Sequence, residues 1–181
     1  MTFLPMSSDA ELTAEALAAA ERHVELHGGR ISNTMRTLLG HVPSFDAYMQ
    51  WYALKDELDP YIGERAVSLF AYAISDASDC LVCAAAFRRA LVESGDDPDN
   101  PEVTETEQLL LDWGRAIATS PRDIPAEFRT RLEEAFSPKL RLMLVAFAGQ
   151  TVAMNVFTTV GRVPLDEGLA AYRAPGDVRT E

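Results

Sequence analysis

The sequence predicts an all-α protein, and three observations support that fold class. The chain contains 26 Ala and 20 Leu against 12 Val and 5 Ile, so strong helix formers greatly outnumber β-branched residues. Apolar residues recur at helical spacing between stop signals built from Gly, Pro, Ser and Asp. With 181 residues and 48% hydrophobic content, the chain is large enough to bury a core. We therefore expect a single all-helical domain over residues 1–181.

Five helices are predicted in the first half of the chain. Ser8 and Glu11 have the spacing of a capping box and predict the start of the first helix, which Gly28 ends. A short helix follows, and Pro43 begins a third that the Asp-Pro pair at 59–60 is expected to end. Two more helices lie on either side of the cysteines. The predicted ranges are 9–27, 30–40, 43–58, 61–75 and 79–93.

The second half continues the helical pattern. Asn100 and Pro101 form a cap and first-turn pair for a helix that runs through Ile117. A shorter helix is predicted over 125–136. Pro138 then opens the most apolar helix, which we expect to be the central helix of the core because it is apolar on nearly all sides. One or two further turns are predicted within 164–172, and residues 171–181 are expected to fray.

The charge and the N-terminus exclude several classes of partner. Sixteen basic against 28 acidic residues give a net charge of −12, which repels nucleic acid and anionic lipid. Residues 142–149 are the only continuous apolar run of the last long helix, and they are too few to span a bilayer. Residues 1–9 lack the features of a secretory signal. We expect a cytoplasmic protein without a nucleic-acid or membrane partner.

The two cysteines, Cys80 and Cys83, are the candidate catalytic residues. Their spacing places both sulfurs on one face of a helix, where they can approach disulfide distance. With Ser78 as N-cap, Cys80 falls in the first turn, where the helix dipole favours a thiolate. Asp76 and Asp79 would raise the pKa of a nearby thiol, and the sequence leaves this competition open. We expect one sulfur to be reachable and the other sheltered, as a redox-active dithiol requires.

Other interpretations of the cysteines are a pair of packed structural thiols or a zinc site. A zinc site needs two further ligands, and the only imidazoles belong to His23, His27 and His41. We interpret His23 and His27 as solvated residues at a helix end, and we expect neither a metal nor a cofactor. A thioredoxin-like motif requires a βαβ unit, which the sequence does not show.

The helical setting of the CxxC pair resembles the AhpD-like alkylhydroperoxidase branch of the carboxymuconolactone decarboxylase family. The resemblance spans residues 29–170, behind an N-terminal helix within residues 1–28. It also rests on Asn155 and on three flanking stretches, residues 29–33, 38–43 and 163–166. It implies an AhpD-like helical bundle that forms a homo-oligomer, either a dimer, a trimer or a hexamer. It also implies a dithiol that reduces hydroperoxides and closes to a disulfide.

The chain departs from the family at the proton relay. Active members place a Glu where this chain has Ser68 and a His where it has Phe87. Ser68, Tyr72 and Ser75 form a polar stripe that could hold an ordered water, but neutral hydroxyls are poor bases at neutral pH. His41 is a further candidate that could reach the sulfurs from another segment. We therefore expect weak peroxidase activity.

The sequence thus predicts a thiol–disulfide redox protein that acts on a hydroperoxide or another small molecule and is reset by a thiol reductant. Two alternatives remain. One is a carboxymuconolactone-decarboxylase-like enzyme that does not use the cysteines and binds a carboxylate through Arg36, Arg65 or Arg88. The other is a non-catalytic helical oligomer in which the thiols are merely packed.

Overall fold

The computed structural model describes residues 2–179, and every regular element within that range is helical. The eight α-helices are α1 (Ala14–His27), α2 (Asn33–Leu38), α3 (Val42–Ile62), α4 (Glu64–Ala77), α5 (Leu81–Glu93), α6 (Glu105–Thr119), α7 (Ala126–Ala135) and α8 (Pro138–Val160). A short 3-10 helix, Glu167–Tyr172, follows α8. The predicted all-α class is confirmed. Whether residues 1–181 form one domain with a frayed tail stays a prediction, and residues 1, 180 and 181 lie outside the described range.

The central helix of the fold is α4, which packs against α3, α5, α6 and α8. Its sequence alternates small and large apolar residues, so neighbouring helices approach it on several sides. One close approach is at Gly114 of α6, where an added Cβ would lie 3.0 Å from both Ala73 Cβ and the Phe70 carbonyl oxygen. Phe70 and Ile74 are fully buried beneath these contacts. The apolar core therefore surrounds α4.

The prediction that α8 is the central helix is wrong. One side of α8 packs against α3, α4 and α5, but four large apolar residues on its other side are exposed: Leu142, Val145, Val156 and Val160. Among residues 2–179, α8 is the helix long and apolar enough to cross a membrane by length and composition, with 39% of its most apolar window buried. A core helix of a soluble protein meets the same criterion, so composition alone does not assign it a location.

Several helix boundaries differ from the prediction because other residues provide the caps. Thr13 caps α1, whereas Ser8 and Glu11 form an isolated turn before it. Thr104 and Glu107 form the capping box of α6. These hydroxyls accept the free amide hydrogens of the first turn, which fixes where each helix starts.

The third helix also passes its predicted end. Pro60 lies within the last turn of α3, which continues to Ile62. Gly63 then ends the helix with φ 84°, a conformation that glycine adopts without a Cβ clash, and α4 begins at the next residue. Because α4 follows α3 directly, Trp51 and Tyr52 of α3 lie near α4 and α5, the two helices on either side of Cys80.

Candidate functional site

The connection between α4 and α5 positions Cys80. Asp79 adopts the left-handed conformation, with φ 57°, that usually belongs to the glycine ending a helix. The Cys80 N–H donates to the Ser75 carbonyl and the Asp79 N–H donates to the Asp76 carbonyl, both at 3.0 Å. These two bonds form a Schellman motif at the end of α4. Cys80 itself is the N-cap of α5, so the prediction that Ser78 caps this helix is wrong.

The two cysteines interact directly at the start of α5. The Cys83 N–H donates a hydrogen bond to Cys80 Sγ over 3.4 Å, and Cys83 Sγ lies 3.8 Å from Thr158 Oγ1 on α8. Both residues are free thiols, with 1% of Cys80 and 8% of Cys83 exposed. The expected reachable sulfur is therefore not found at the protein surface. Both sulfurs are buried, and access to them depends on an internal cavity.

The pKa of Cys80 is below its usual value. The main cause is the hydrogen bond from the Cys83 thiol, which the Cys83 backbone N–H, the Thr159 hydroxyl and the charge of Arg179 reinforce against the effect of burial. Arg179 also lies 3.3 Å from Asp76 and 3.8 Å from Asp79. The hydrogen bonds that Cys80 accepts from Cys83 therefore outweigh burial, and Arg179, which also pairs with Asp177 at 2.7 Å, adds to them, so the competition that the sequence left open favours the thiolate.

Cys83 has the opposite character. Its hydrogen bond to Cys80, its burial and the negative charge on Cys80 raise its pKa well above the usual value. Of the two cysteines, Cys80 is therefore the one that ionises first, which gives a thiolate on Cys80 beside a thiol on Cys83. Transfer of the Cys83 proton to Cys80 exchanges the two states, so that Cys80 becomes the thiol and Cys83 becomes the thiolate.

Cys83 lines a cavity of about 400 Å³ that opens between α1, α3, α5 and α8. Its wall includes Trp51, Tyr52 and Phe87, whose rings contact one another, with centroids 5.0 Å apart for Trp51 and Tyr52 and 5.7 Å apart for Trp51 and Phe87. Trp51 is oriented by a 2.9 Å hydrogen bond from its indole N–H to Thr151 Oγ1. The cavity has the size and the largely apolar lining of a small-molecule site.

Two imidazoles also line this cavity. His23 is buried and His27 is half-buried, and each ring lies within about 5 Å of the Tyr52 ring. Burial, together with the neighbouring His27, lowers the pKa of His23, so its ring is neutral at pH 7. The interpretation of both as solvated residues is wrong. Within residues 2–179, no group of three or more His, Cys, Asp or Glu side chains is arranged to hold a metal.

The remaining candidate residues lie in different environments. Phe87 lines the cavity, so an aromatic ring occupies the position that the family resemblance gives to a histidine. Ser75 is fully buried and donates to Asn155 Oδ1 at 3.1 Å, and Tyr72 accepts a 3.4 Å hydrogen bond from Arg88. His41 is the N-cap of α3 and contacts Ser44 at 2.8 Å, away from this cavity.

The three arginines suggested for carboxylate binding are engaged in ion pairs. Arg36 pairs with Asp9, Arg65 pairs with Asp96 and Glu107, and Arg88 makes a bidentate pair with Asp99 at 2.8 Å. The cations that line the cavity are instead Arg30 and Arg89.

Comparison with known proteins supports the fold. No protein-family model and no curated protein sequence matches the chain. Similar solved structures include a cysteine-to-alanine variant of the debrominase Bmp8 in complex with 2,3,4-tribromopyrrole, with TM-score 0.77, 13% identity and coverage of 95% of this chain and 96% of that one. The apo form of Bmp8 gives TM-score 0.74 at 14% identity, with 95% and 96% covered. An uncharacterized peroxidase-related protein from Silicibacter sp. TM1040 gives TM-score 0.74 at 18% identity, with 98% and 96% covered.

The chain therefore has the AhpD-like all-α fold that the sequence predicted. At these identities the comparison shows the fold alone. Oligomerisation and the chemistry of the cysteines stay predictions.

Sequence reasoning missed five residues of the cavity: Trp51, Tyr52, Arg89, Thr151 and Asn155 as a polar contact. Asn155 was noted only as part of the family resemblance. A usable signal was present in α8, where Thr151 and Asn155 interrupt an otherwise apolar helix at i, i+4 spacing.

Proposed function

We propose that this chain is a thiol–disulfide oxidoreductase in which Cys80 and Cys83 reduce a small molecule held in the cavity, with hydroperoxides as the first substrate class. One observation carries the proposal: the cavity wall includes Cys83, and Cys83 is hydrogen-bonded to a cysteine whose pKa is lowered. A substrate in the cavity thus contacts the Cys83 sulfur, while the Cys80 sulfur supplies the negative charge of the dithiol.

The reaction starts from the Cys80 thiolate and the Cys83 thiol. Cys83 Sγ attacks the terminal oxygen of a hydroperoxide, the O–O bond breaks, and the Cys83 proton passes to Cys80. The departing alkoxide takes that proton from Cys80 and leaves as an alcohol. The Cys80 thiolate then attacks the sulfenic acid on Cys83, which forms the disulfide and releases hydroxide. The dithiol loses two electrons and the hydroperoxide gains them.

This route uses Cys80 in place of the missing Glu and His. It is slow at neutral pH, because the proton moves from the sulfur with the raised pKa to the sulfur with the lowered one. We therefore expect turnover well below that of a protein with a complete relay. An external thiol reductant reopens the disulfide, and this requirement is the basis for proposing a cytoplasmic location.

A second candidate function is reductive dehalogenation of an aromatic ring. The aromatic wall beside Cys83 favours it, and one structural neighbour is a debrominase crystallised with a bromopyrrole. In this reaction the dithiol supplies two electrons and one proton. A carbon–hydrogen bond replaces the carbon–halogen bond, halide leaves, and the same disulfide forms.

The two alternatives from the sequence are less well supported. A non-catalytic role for packed thiols does not account for a cavity that Cys83 lines. A decarboxylase-like enzyme that binds its substrate through Arg36, Arg65 or Arg88 would have to break the ion pairs that these residues make.

The test is to mix the reduced full-length protein with cumene hydroperoxide and count free thiols after denaturation. We expect both thiols to disappear and the intact mass to fall by two hydrogen atoms. In Cys80→Ser a sulfenic acid should form on Cys83 more slowly than in the wild type, because the proton acceptor is lost, and it should persist and react with dimedone, whereas Cys83→Ser should give no dimedone adduct. Two thiols that remain titratable after excess oxidant would refute the redox proposal.

A parallel reaction with a dibromophenol, followed by bromide release, separates the two candidates. Bromide release coupled to disulfide formation, without a reaction with cumene hydroperoxide, would replace the first candidate with the second.

A further inference from the structure

The cavity holds a buried hydrogen-bond donor without a partner. Asn155 is 2% exposed, and its Oδ1 accepts from Ser75, but its Nδ2 has no hydrogen-bond partner among the described residues. Buried amide groups in folded proteins are almost always paired, so an unpaired one at a cavity wall indicates where a ligand atom belongs. The group that Nδ2 requires is a hydrogen-bond acceptor.

The guanidinium of Arg89 provides a second hydrogen-bond donor without a partner. Arg89 lines the same cavity, and its Nε is buried without a hydrogen-bond partner within residues 2–179. Glu93 Oε1, the carboxylate atom nearest to it on α5, is 3.8 Å away and beyond hydrogen-bond distance. An arginine that retains unused donors is suited to bind a carboxylate, which accepts from a guanidinium through two oxygens.

The charges around the cavity favour an anion. Arg30 and Arg89 line it against the single carboxylate of Asp166, whose Oδ1 already accepts a 3.0 Å hydrogen bond from the Asn33 N–H. The described lining residues thus carry one more positive than negative charge, with Glu93 beside Arg89 and Asp56 beside His27 lying outside the lining. An anionic ligand is therefore attracted locally although the protein as a whole repels it.

The apolar part of the cavity favours a flat ligand. Trp51, Tyr52 and Phe87 form a continuous aromatic surface, and three methionines, Met35, Met49 and Met154, line the cavity with them. Aromatic rings stack on such surfaces, and methionine adapts to the outline of the ligand. A volume of about 400 Å³ is at the lower end of the range for small-molecule sites, which suits one or two fused rings.

We propose that the cavity binds an aromatic carboxylic acid, with the carboxylate against Arg89 and Asn155 and the ring against Trp51 and Phe87. This proposal rests on the proposed function in one respect only, which is that Cys83 is taken as the sulfur that contacts the ligand. It narrows the substrate from any hydroperoxide to one whose reducible group is carried on an aromatic acid.

Isothermal titration calorimetry with 1-naphthoate tests the proposal. This compound has no group that the dithiol can reduce, so the result is independent of whether the protein is a redox enzyme. We expect saturable binding to the reduced full-length protein. We also expect binding about tenfold weaker or worse for the neutral analogue 1-naphthalenemethanol and for the non-aromatic cyclohexanecarboxylate. Failure of 1-naphthoate to bind, or equal affinity for the neutral analogue, would overturn the proposal.

Variants locate the site. Arg89→Met should weaken 1-naphthoate binding about tenfold or more, since it removes a charge-assisted hydrogen bond. Arg115→Met is the matched control, because it removes one positive charge from an exposed face of α6, and it should bind as the wild type does. Equal affinity of Arg89→Met and wild type would refute the assigned position. The ligand series with the wild type keeps the proposal testable even if a variant fails to fold.

Discussion

Replacing Thr151 with valine should destabilise the protein through one hydrogen bond that also orients the cavity wall. Thr151 is 1% exposed, its Oγ1 accepts the Trp51 indole N–H at 2.9 Å, and its hydroxyl donates to the Phe147 carbonyl at 2.9 Å. Valine has nearly the same shape but accepts no hydrogen bond. The indole N–H of Trp51, which links α3 to α8, is then left without its acceptor.

The magnitude follows from two opposing effects. An unsatisfied donor of this kind costs about 1–3 kcal/mol. The methyl group that replaces the hydroxyl contributes at most about 0.8 kcal/mol of apolar burial in return. Subtracting the second from the first leaves a net loss of about 0.2–2.2 kcal/mol, and the midpoint of about 1.2 kcal/mol lowers Tm by roughly 2–5 °C for a chain of this length.

The assay is urea denaturation followed by far-ultraviolet circular dichroism, with Thr130→Val as the matched control. Thr130 makes the same type of bond to the carbonyl four residues earlier, at 3.2 Å, but lies on the exposed face of α7 and receives no indole. The control should change stability by less than about 0.5 kcal/mol. If Thr151→Val unfolds at the same urea concentration as the control, the Trp51–Thr151 bond does not stabilise this wall.

Four further predictions concern the dithiol and the surface. Ultraviolet titration of the reduced protein should show that the Cys80 thiolate forms with a pKa below the usual value. Cys83→Ala should raise that pKa because the thiol donor is lost, and an unchanged pKa would refute that cause. The rate of peroxide reaction should rise with pH through the same transition and stay level above it. Phe87→His should speed thiol loss roughly tenfold or more by restoring a proton donor, and an unchanged rate would show that the missing relay is not limiting. We expect a homo-oligomer that buries the exposed apolar face of α8, so Val145→Glu with Val156→Glu should reduce its size in analytical ultracentrifugation; a wild-type monomer would contradict this.

The sequence was sufficient for the fold class and for most helices because composition and spacing act locally. Gly28 and Pro138 mark a helix end and a helix start as expected, since each acts through its own backbone preference. The missed boundaries have a cause that is not local. Several residues near each start could serve as the cap, and tertiary packing decides which of them does, as with Thr13 and Thr104.

The roles of α4 and α8 could not be predicted from apolar content. The most apolar helix, α8, has one exposed side, whereas α4 is central because small residues such as Ala71 and Ala73 admit neighbouring helices closely. On α6, the absence of a side chain at Gly114 leaves the space that lets α4 approach. Which helix becomes the central one thus depends on how the surfaces of two helices fit together, and the sequence pattern of one helix alone does not contain that information.

The cysteine pair was found from its spacing, but its chemistry depends on residues that are distant in the chain. A positive charge that helps to lower the pKa of Cys80 comes from Arg179, about a hundred residues later, and the cavity joins Trp51 of α3 to Thr151 and Asn155 of α8. The acid–base asymmetry of the two thiols is, by contrast, a local property, because the Asp79 turn makes Cys80 the N-cap and aims the Cys83 N–H at its sulfur. A change at the turn should therefore alter the reactivity of the thiols, whereas a change at Arg89 or Asn155 should alter which molecule reaches them.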